Sequence, residues 1–364
     1  MSVSSASPIT PPLPDGLPDS LSGPSAWYGP DLQASGGWTV TLGPQDLAEI
    51  EAATQPWLAD GTEPAQISAA GFALPTLGPR LAGPGGLLDE LLQGRGFALL
   101  RGLPVAAWGP RKSALAFFGL GAHLGAARSQ NAQGHLLGHV RDLGLSSDDP
   151  RVRIYQTAER QTFHTDSADL VGLLCLQTAR SGGLSALVSS VTLFNELRRR
   201  RPDLAPWLFQ PVATDRRGEV PPGCQPWFEI PVFNWFAGRL SALYQRQYID
   251  SAARFAGQAP MLAAPHREAL DLLDALTDDP QLHLMMALQP GDMQFVHNHS
   301  LLHDRTAFTD WPEPARRRHL LRLWLAPASA RPLPPVYAQR YGSVQPGARG
   351  GVMLTDTRPH VPLP

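Results

Sequence analysis

The chain has 364 residues, enough to bury one large core or two smaller ones, and 43% of them are hydrophobic while 17% are charged. The formal net charge is −2, which excludes the basic excess typical of proteins that bind nucleic acid or an anionic membrane. The composition therefore favours a globular protein whose partner is a small molecule.

The cysteine count and the N-terminus indicate the compartment. Two cysteines, Cys175 and Cys224, are too few for a disulfide framework. The first residues lack a basic region followed by an apolar one, and no stretch approaches the roughly 20 apolar residues that span a bilayer. We expect a cytoplasmic protein without a membrane partner. The sequence leaves the oligomeric state open, a homo-oligomer included.

In chain order, residues 1–36 are rich in Ser, Pro and Gly and predict a flexible N-terminal arm. We expect a single domain over residues 37–340 and a C-terminal tail over 341–364. The first part of this domain is predicted to be mainly helical. Apolar spacing indicates helices over 44–54, 86–93 and 112–124, with a strand over 97–100.

From residue 151 onward strand patterns dominate. Alternation predicts a strand over 151–157, and apolar runs predict strands over 169–177 and, after a Gly-Gly turn, over 184–190. The remaining segments are predicted as a helix over 191–200, two strands within 226–244, helices near 246–256 and 266–277, and strands over 282–288, 293–297 and 319–326.

The order of these elements indicates the fold class. Strands and helices do not alternate regularly, which argues against a doubly wound sheet. We predict a mainly β fold with helices (α+β): a double-stranded β-helix, or jelly-roll barrel, with helical buttresses and insertions.

The segment Phe163-His164-Thr165-Asp166 carries the first candidate site. On a strand, residues i and i+2 point to the same face, so His164 and Asp166 would lie side by side. One further histidine would complete a facial triad with open positions, the ligand set of non-haem iron(II) oxygenases. With 11 histidines in the chain, this pair alone is equally consistent with a polar strand end.

A second cluster follows a Pro-Gly-Asp turn and supplies three candidates for the third ligand, His297, His299 and His303. Further on, Arg318 and Arg322 share one face of the last strand. An arginine held inside a barrel needs an anion, and a dicarboxylate fits its planar guanidinium. A solvated basic strand is the alternative interpretation.

Together these motifs resemble the taurine dioxygenase (TauD/TfdA-like) family of Fe(II)/2-oxoglutarate-dependent oxygenases, over about residues 95–326. The resemblance implies Fe(II), 2-oxoglutarate as cosubstrate, and dioxygen. It implies that His164, Asp166 and His303 are the catalytic metal ligands. His303 lies 15 residues before Arg318, a few residues more than in the shortest members of the family, and the family favours it, with His299 as the next choice.

The same resemblance implies roles for three other residues. Arg318 would pair with the distal carboxylate of 2-oxoglutarate, and Ser185, after the Gly-Gly turn, would hydrogen-bond that carboxylate. Arg322 matches a basic position that in some members reaches the substrate or cosubstrate. Asn298 is either a group that orients the distal ligand or a plain turn residue. For Tyr155 and Asn234, loop packing is favoured over a place in the substrate pocket.

The function expected from the resemblance is hydroxylation, or desaturation, of an unidentified small molecule with release of succinate and CO2. Two alternatives remain open: a jelly-roll small-molecule binding protein with a vestigial metal site, and a zinc hydrolase on the same ligands. Arg318 beside a full triad disfavours the first, because a binding module needs no cosubstrate anchor. The sequence supplies no clear general base for the second.

Overall fold

The structure is a computed structural model and describes residues 10–146 and 152–364. Its strands are β1 Thr39–Thr41, β2 Phe97–Arg101, β3 Ala126–Ala127, β4 Leu137–Val140, β5 Gln161–His164, β6 Leu170–Gln177, β7 Ser181–Gly182, β8 Ser185–Ser189, β9 Pro211–Asp215, β10 Trp227–Pro231, β11 Phe233–Phe236, β12 Arg239–Ala242, β13 Leu284–Met286, β14 Met293–His297, β15 Leu301–Arg305, β16 Phe308–Thr309 and β17 His319–Ala326.

The α-helices are α1 Gly29–Ser35, α2 Pro44–Thr54, α3 Leu77–Ala82, α4 Leu87–Leu92, α5 Val105–Leu124, α6 Ser190–Arg200, α7 Arg246–Ser251, α8 Ala264–Thr277 and α9 Ala338–Tyr341. Helix α5 begins earlier than the sequence predicts. It is broken at Gly109, which precedes Pro110 and has a non-helical φ of 74°. In the described part of the chain, no helix combines the length and apolar character needed to cross a membrane.

Two sheets form the centre of the fold. Within the described residues the larger sheet has seven strands in the order β1-β2-β14-β6-β17-β3, with β4 also paired to β17, and the smaller has the order β13-β8-β15-β5. Their apolar faces meet in one cluster, which takes Val171, Val296 and Trp324 from the larger sheet and Leu187 and Leu301 from the smaller. The site described below lies where these two layers face each other.

Helices cover the outer faces of both sheets. Helix α5 packs on the larger sheet, where Phe117 contacts Phe295 and joins a core cluster with Leu174 and Leu321. Helices α6 and α8 pack on the side of the smaller sheet around Phe194. The fold is therefore mixed sheet and helix, with helices buttressing the two strand layers as expected.

Most predicted strands are confirmed, with three differences. Within the predicted strand 151–157, Ile154–Gln156 is a short 3₁₀ helix closed by the Gln156 N–H donating to Arg153 O, and residue 151 lies outside the described residues. The segment 226–244 contains three strands, β10 to β12, rather than two. The third difference is a set of strands that were not predicted from the sequence, namely β1, β3, β4, β7, β9, β15 and β16.

The N-terminal segment packs on the domain over its described part, residues 10–36. Leu13, Leu17 and Leu21 contact the apolar cluster around α6 and α8. Trp27 is 6% exposed, donates its indole N–H to Arg95 O at 2.8 Å, and accepts from Thr192 Oγ1 at 2.6 Å through its carbonyl. A few spaced apolar side chains thus suffice to dock a segment of mainly polar composition.

The C-terminal segment also packs on the domain. The His360 carbonyl accepts from Leu136 N at 2.8 Å, and Val352 N donates to Ser129 O at 2.8 Å. Arg349 is fully buried and donates to Asp169 through Nη2 at 2.8 Å and Nε at 2.9 Å. Asp169 also accepts from His299 Nε2 at 2.8 Å. Burial raises the pKa of the Asp169 carboxyl, but His299 and Arg349 outweigh burial and hold the pKa below its usual range.

Replacing Asp169 with asparagine is expected to lower the free energy of unfolding by about 3–5 kcal/mol, because it leaves the buried Arg349 guanidinium without a counter-charge. Urea unfolding of the metal-free protein measures this loss. Asp250→Asn is the matched control, since Asp250 is 45% exposed in its ion pair with Arg246 and should contribute less than about 1 kcal/mol. Equal effects of the two substitutions would contradict a structural role for the Asp169 network.

Candidate active site

Strands β5 and β15 bring two histidines together. His164 ends β5, and it lies directly opposite His303 in the antiparallel register of these strands. The centroids of the two imidazole rings are 4.2 Å apart. Because directly opposed residues project to the same face of a sheet, both rings enter the space between the two layers.

Asp166 joins this pair from the loop after β5. Its backbone is held by Asn298, whose side-chain oxygen accepts from Asp166 N at 2.9 Å and whose amide donates to the carbonyls of Asp166 and Ala168. Potential ligand atoms of His164, Asp166 and His303 all lie within 4.8 Å of one another. Asn298 therefore positions the Asp166 loop, whereas the sequence analysis considered it as a group that orients the distal histidine.

The protonation states of the two imidazoles suit metal ligation. Burial lowers the pKa of His164, and it lowers the pKa of His303 to about 3, so both rings are neutral at neutral pH. His164 Nδ1 is 2.8 Å from Thr162 O, which assigns the ring proton to Nδ1 and leaves the lone pair on Nε2. The buried Nδ1 of His303 has no hydrogen-bond partner among the described residues.

The carboxylate of Asp166 is ionised. Burial raises its pKa, but the positive charge of Arg322 and a hydrogen bond from Trp324 help to hold the pKa below its usual range. Arg322 Nη1 lies 3.2 Å from Asp166 Oδ2, and Trp324 Nε1 donates to the same oxygen at 3.0 Å. Two neutral imidazoles and one carboxylate on a shared face are a donor set that fits Fe(II).

Arg318 extends into a cavity beside this group, lined also by His164, His303 and Ser185. The residue is 5% exposed, burial lowers its pKa to about 10, and its buried Nη1 has no hydrogen-bond partner among the described residues. Gly183 makes room for it, because a Cβ there would lie 3.0 Å from Arg318 Nε. A buried guanidinium with an unused donor fits a carboxylate-bearing ligand.

Ser185 and Arg322 occupy different parts of the site. Ser185 Oγ lies within 3.2 Å of the Gln294 amide and faces the Arg318 cavity. Arg322, which lines that cavity as well, is engaged with Asp166 and donates from Nε to Gln130 Oε1 at 2.8 Å. Of the two predicted basic positions, Arg322 therefore pairs with the Asp166 carboxylate, and Arg318 retains an unused donor.

Arg305 was missed by the sequence analysis. It follows His303 by two residues on β15, lines the same cavity, and donates from Nη1 to Thr157 O at 3.1 Å. Burial, together with the nearby charge of Arg318, lowers its pKa to about 10. The i, i+2 alternation from His303 would have identified Arg305 if β15 had been predicted as a strand.

His297 and His299, the other two candidates for the third ligand, make hydrogen bonds elsewhere. His297 Nδ1 is 2.7 Å from Ser300 Oγ, and His299 is bonded to the buried Asp169. Neither joins the group formed by His164, Asp166 and His303 in the described residues. The structure thus brings His303, and neither alternative, to the first two candidate ligands.

Comparisons with known proteins agree with this geometry. A model of the family described as "Taurine catabolism dioxygenase TauD, TfdA family" matches residues 58–324. The FR-33289 synthase of Streptomyces rubellomurinus is 31% identical over 319 residues, which cover 86% of this chain and 92% of that protein. A taurine hydroxylase-like protein of Stachybotrys chartarum is 30% identical over 84% of this chain and 80% of its own.

A shorter match joins the chain to a uridine-5'-phosphate dioxygenase of an Amycolatopsis species, 34% identical over 48% of this chain and 64% of that one. Among solved structures, asparagine oxygenase in complex with Fe(II), 3-hydroxyasparagine and succinate superposes with a TM-score of 0.61. It is 20% identical, and the match covers 79% of this chain and 93% of that chain. This likeness establishes a common fold.

Proposed function

Because the chain belongs to the taurine catabolism dioxygenase TauD, TfdA family, we propose that it hydroxylates a small molecule at the group formed by His164, Asp166 and His303. The protein is a 2-oxoglutarate-dependent dioxygenase that uses Fe(II), 2-oxoglutarate and dioxygen. The products released from the cosubstrate are succinate and CO2. Desaturation of the substrate is the alternative outcome at the same site.

His164, Asp166 and His303 would hold the iron. Bound Fe(II) supplies the oxidising chemistry, in which dioxygen is reduced, 2-oxoglutarate is decarboxylated and a substrate C–H bond is oxidised. The Thr162 carbonyl fixes the His164 tautomer, so that Nε2, which accepts from Gln161 Nε2 at 2.8 Å in this structure, would bind the iron without proton loss. Arg322 and Trp324 both hold Oδ2 of Asp166 and keep this carboxylate ionised and oriented.

Arg318 would bind the distal carboxylate of 2-oxoglutarate, with Ser185 as a second donor. The observation that carries the proposal is the unused Nη1 of this buried guanidinium, next to the three candidate ligands. A charge is costly to bury without a partner, and a dicarboxylate supplies that partner. We further propose that the two facing sheets form the double-stranded β-helix expected from the sequence.

Two alternatives are weaker. A binding protein with a vestigial metal site would gain nothing from a buried arginine beside an intact ligand group. A zinc hydrolase can use two histidines and one aspartate, but it has no use for a dicarboxylate anchor such as Arg318. The charge and burial around Arg318 therefore favour the oxygenase over both.

An anaerobic titration tests the proposal. Adding Fe(II) and 2-oxoglutarate to the metal-free protein is expected to produce a weak visible charge-transfer band, and Fe(II) with succinate is expected not to. Zn(II) in place of Fe(II) provides the colourless control. Tight zinc binding with hydrolytic turnover, and no band with Fe(II) and 2-oxoglutarate, would support the hydrolase instead.

A further inference from the structure

A second cavity, about 460 Å³ in volume, is lined by Asp166 but not by Arg318. Its wall includes Trp324 and Arg322 near the candidate ligands and extends to Arg217 and Glu219. Because Asp166 lines the cavity, a molecule bound there would lie close to the proposed iron site. The inference below concerns its substrate class and rests on the proposed function.

Positive charge is concentrated in this wall. Among the described lining residues there are five arginines and two carboxylates: Arg153, Arg217, Arg254, Arg322 and Arg340 against Asp166 and Glu219. A third carboxylate, Asp215, pairs with Arg254 at 2.9 Å. These five arginines and three carboxylates together carry two positive charges in excess, although the whole chain has a net charge of −2. Fe(II) and 2-oxoglutarate bring opposite charges of equal size, so their binding would leave this excess unchanged.

Arg217 is the unpaired member of the group. Among the described residues no carboxylate lies within ion-pair distance of its guanidinium, and its buried Nε has no hydrogen-bond partner. Its guanidinium carbon lies 5.5 Å from the centre of the Tyr248 ring. The backbone at Arg217 has a φ of 55°, which non-glycine residues rarely adopt, and Asp215 Oδ1 stabilises it by accepting from Arg217 N at 2.8 Å.

Glu219 positions two further arginines. Its carboxylate lies 2.9 Å from Arg153 and 3.5 Å from Arg340. Arg340 Nε also donates to Ser167 Oγ at 2.7 Å, directly after the candidate ligand Asp166. The guanidinium groups are thus held in place before any ligand binds, which lowers the entropy cost of binding an anion.

We propose that the substrate carries a dianionic phosphoryl group, as a phosphate monoester or a phosphonate, which Arg217 binds together with Arg153 and Arg340. Such a group carries a charge of about −1.5 to −2 at neutral pH and offers three acceptor oxygens. It would match the excess of two positive charges, whereas a sulfonate or a single carboxylate would leave one charge uncompensated. Guanidinium groups suit these oxygens because they bind them in a bidentate manner.

Binding of four small probes tests the charge of the ligand. Isothermal titration calorimetry on the full chain, both metal-free and loaded anaerobically with Fe(II) and 2-oxoglutarate, compares ethylphosphonate, ethyl phosphate, ethanesulfonate and propionate. We expect both phosphorus compounds to bind at least about tenfold more tightly than the two monoanions. Of ethylphosphonate and ethyl phosphate, the one that binds more tightly indicates whether the substrate is a phosphonate or a phosphate monoester. Equal affinities for all four probes would overturn the proposal.

The pH dependence gives a second readout. The second ionisation of a phosphoryl group has a pKa of about 6, so affinity for ethyl phosphate is expected to rise from pH 5.5 to 7.5. The affinity for ethanesulfonate, which is fully ionised throughout, is expected to stay constant. A flat profile for ethyl phosphate would show that its second charge is not recognised.

Substitutions in the wall should act in opposite directions. Arg217→Gln is expected to weaken ethylphosphonate binding about 10- to 100-fold, because it removes charge-assisted hydrogen bonds. Glu219→Gln is expected to strengthen it, since Arg153 and Arg340 lose a competing carboxylate. Arg201→Gln, at an exposed arginine outside this cavity, should change nothing. If Arg217→Gln fails to fold, the Glu219 variant still decides, and weaker binding in that variant would contradict the proposal.

Failure of this inference is distinguishable from failure of the proposed function. A charge-transfer band with Fe(II) and 2-oxoglutarate, combined with no preference among the four probes, would overturn the substrate class alone. Preferential binding of the phosphorus compounds without any band would overturn the oxygenase assignment, and it would leave the anion site standing.

Discussion

Replacing Asp166 with alanine is expected to lower substrate-dependent succinate formation by at least about a thousandfold, since loss of a group that merely orients a ligand already costs about 10- to 100-fold. The substitution removes the one anionic donor of the proposed iron site. It also leaves the buried Arg322 without the carboxylate that lies 3.2 Å away. Succinate release and Fe(II) affinity, measured on the same preparations, check this result.

Two further variants serve as an intermediate case and as a control for Asp166→Ala. Trp324→Phe removes only the hydrogen bond to Asp166 Oδ2 and is expected to lower Fe(II) affinity about 10-fold. Asp278→Asn changes an exposed carboxylate that pairs with Arg160 and should leave activity unchanged. An Asp166→Ala enzyme that kept a tenth of the normal rate would exclude Asp166 as a ligand.

Replacing Arg318 with methionine is expected to raise the KM for 2-oxoglutarate by about 100- to 1000-fold, since truncating one member of a buried charged pair costs about 2–5 kcal/mol. Methionine preserves much of the side-chain volume, so the loss reports on charge. The affinity for Fe(II) alone should change little, because Arg318 does not contact Asp166. Steady-state kinetics with varied 2-oxoglutarate separates these two effects.

The neighbouring Arg316 supplies the control for this change. Arg316 is 54% exposed, and Arg316→Met should leave the KM for 2-oxoglutarate within about twofold of its normal value. Arg318→Lys should recover part of the loss, because an ammonium group keeps the charge but lacks the planar fork. A KM unchanged by Arg318→Met would place the cosubstrate carboxylate elsewhere in the cavity.

Local patterns were sufficient to predict some parts of the site. Alternation along a strand put His164 and Asp166 together, and the same rule placed Arg318 and Arg322 on one face of the final strand. Both pairs line the site in the structure. The proximity of each pair could be predicted because it depends on geometry within a few consecutive residues, while the roles of these residues in binding iron and cosubstrate stay predictions.

Strand β15 shows what such patterns could not reveal. Its sequence, Leu301–Arg305, contains three polar residues in a row, and yet four of its five side chains are buried. Charged residues interrupt the apolar alternation that identifies strands. They can be buried here because Asp304 pairs with Arg160 and Arg305 donates to backbone carbonyls. Resemblance to a family, rather than local pattern, selected His303 on this strand.

Composition likewise gave no indication of how residues 10–36 pack on the domain. The docking of Trp27 depends on partners more than 60 residues away in sequence, at Arg95 and Thr192. Contacts of this range are set by the assembled fold. No window of neighbouring residues contains them.

The pairing of Asp169 with Arg349 has a consequence for biosynthesis. The two residues are 180 positions apart, so at about 5–20 residues per second the ribosome needs roughly 10–40 s to add the second after the first. During that interval the carboxylate of Asp169 lacks its guanidinium partner, and the central strand that follows it cannot reach its final environment. A nascent chain that ends before Arg349 is therefore expected to stay incompletely folded and accessible to chaperones and proteases.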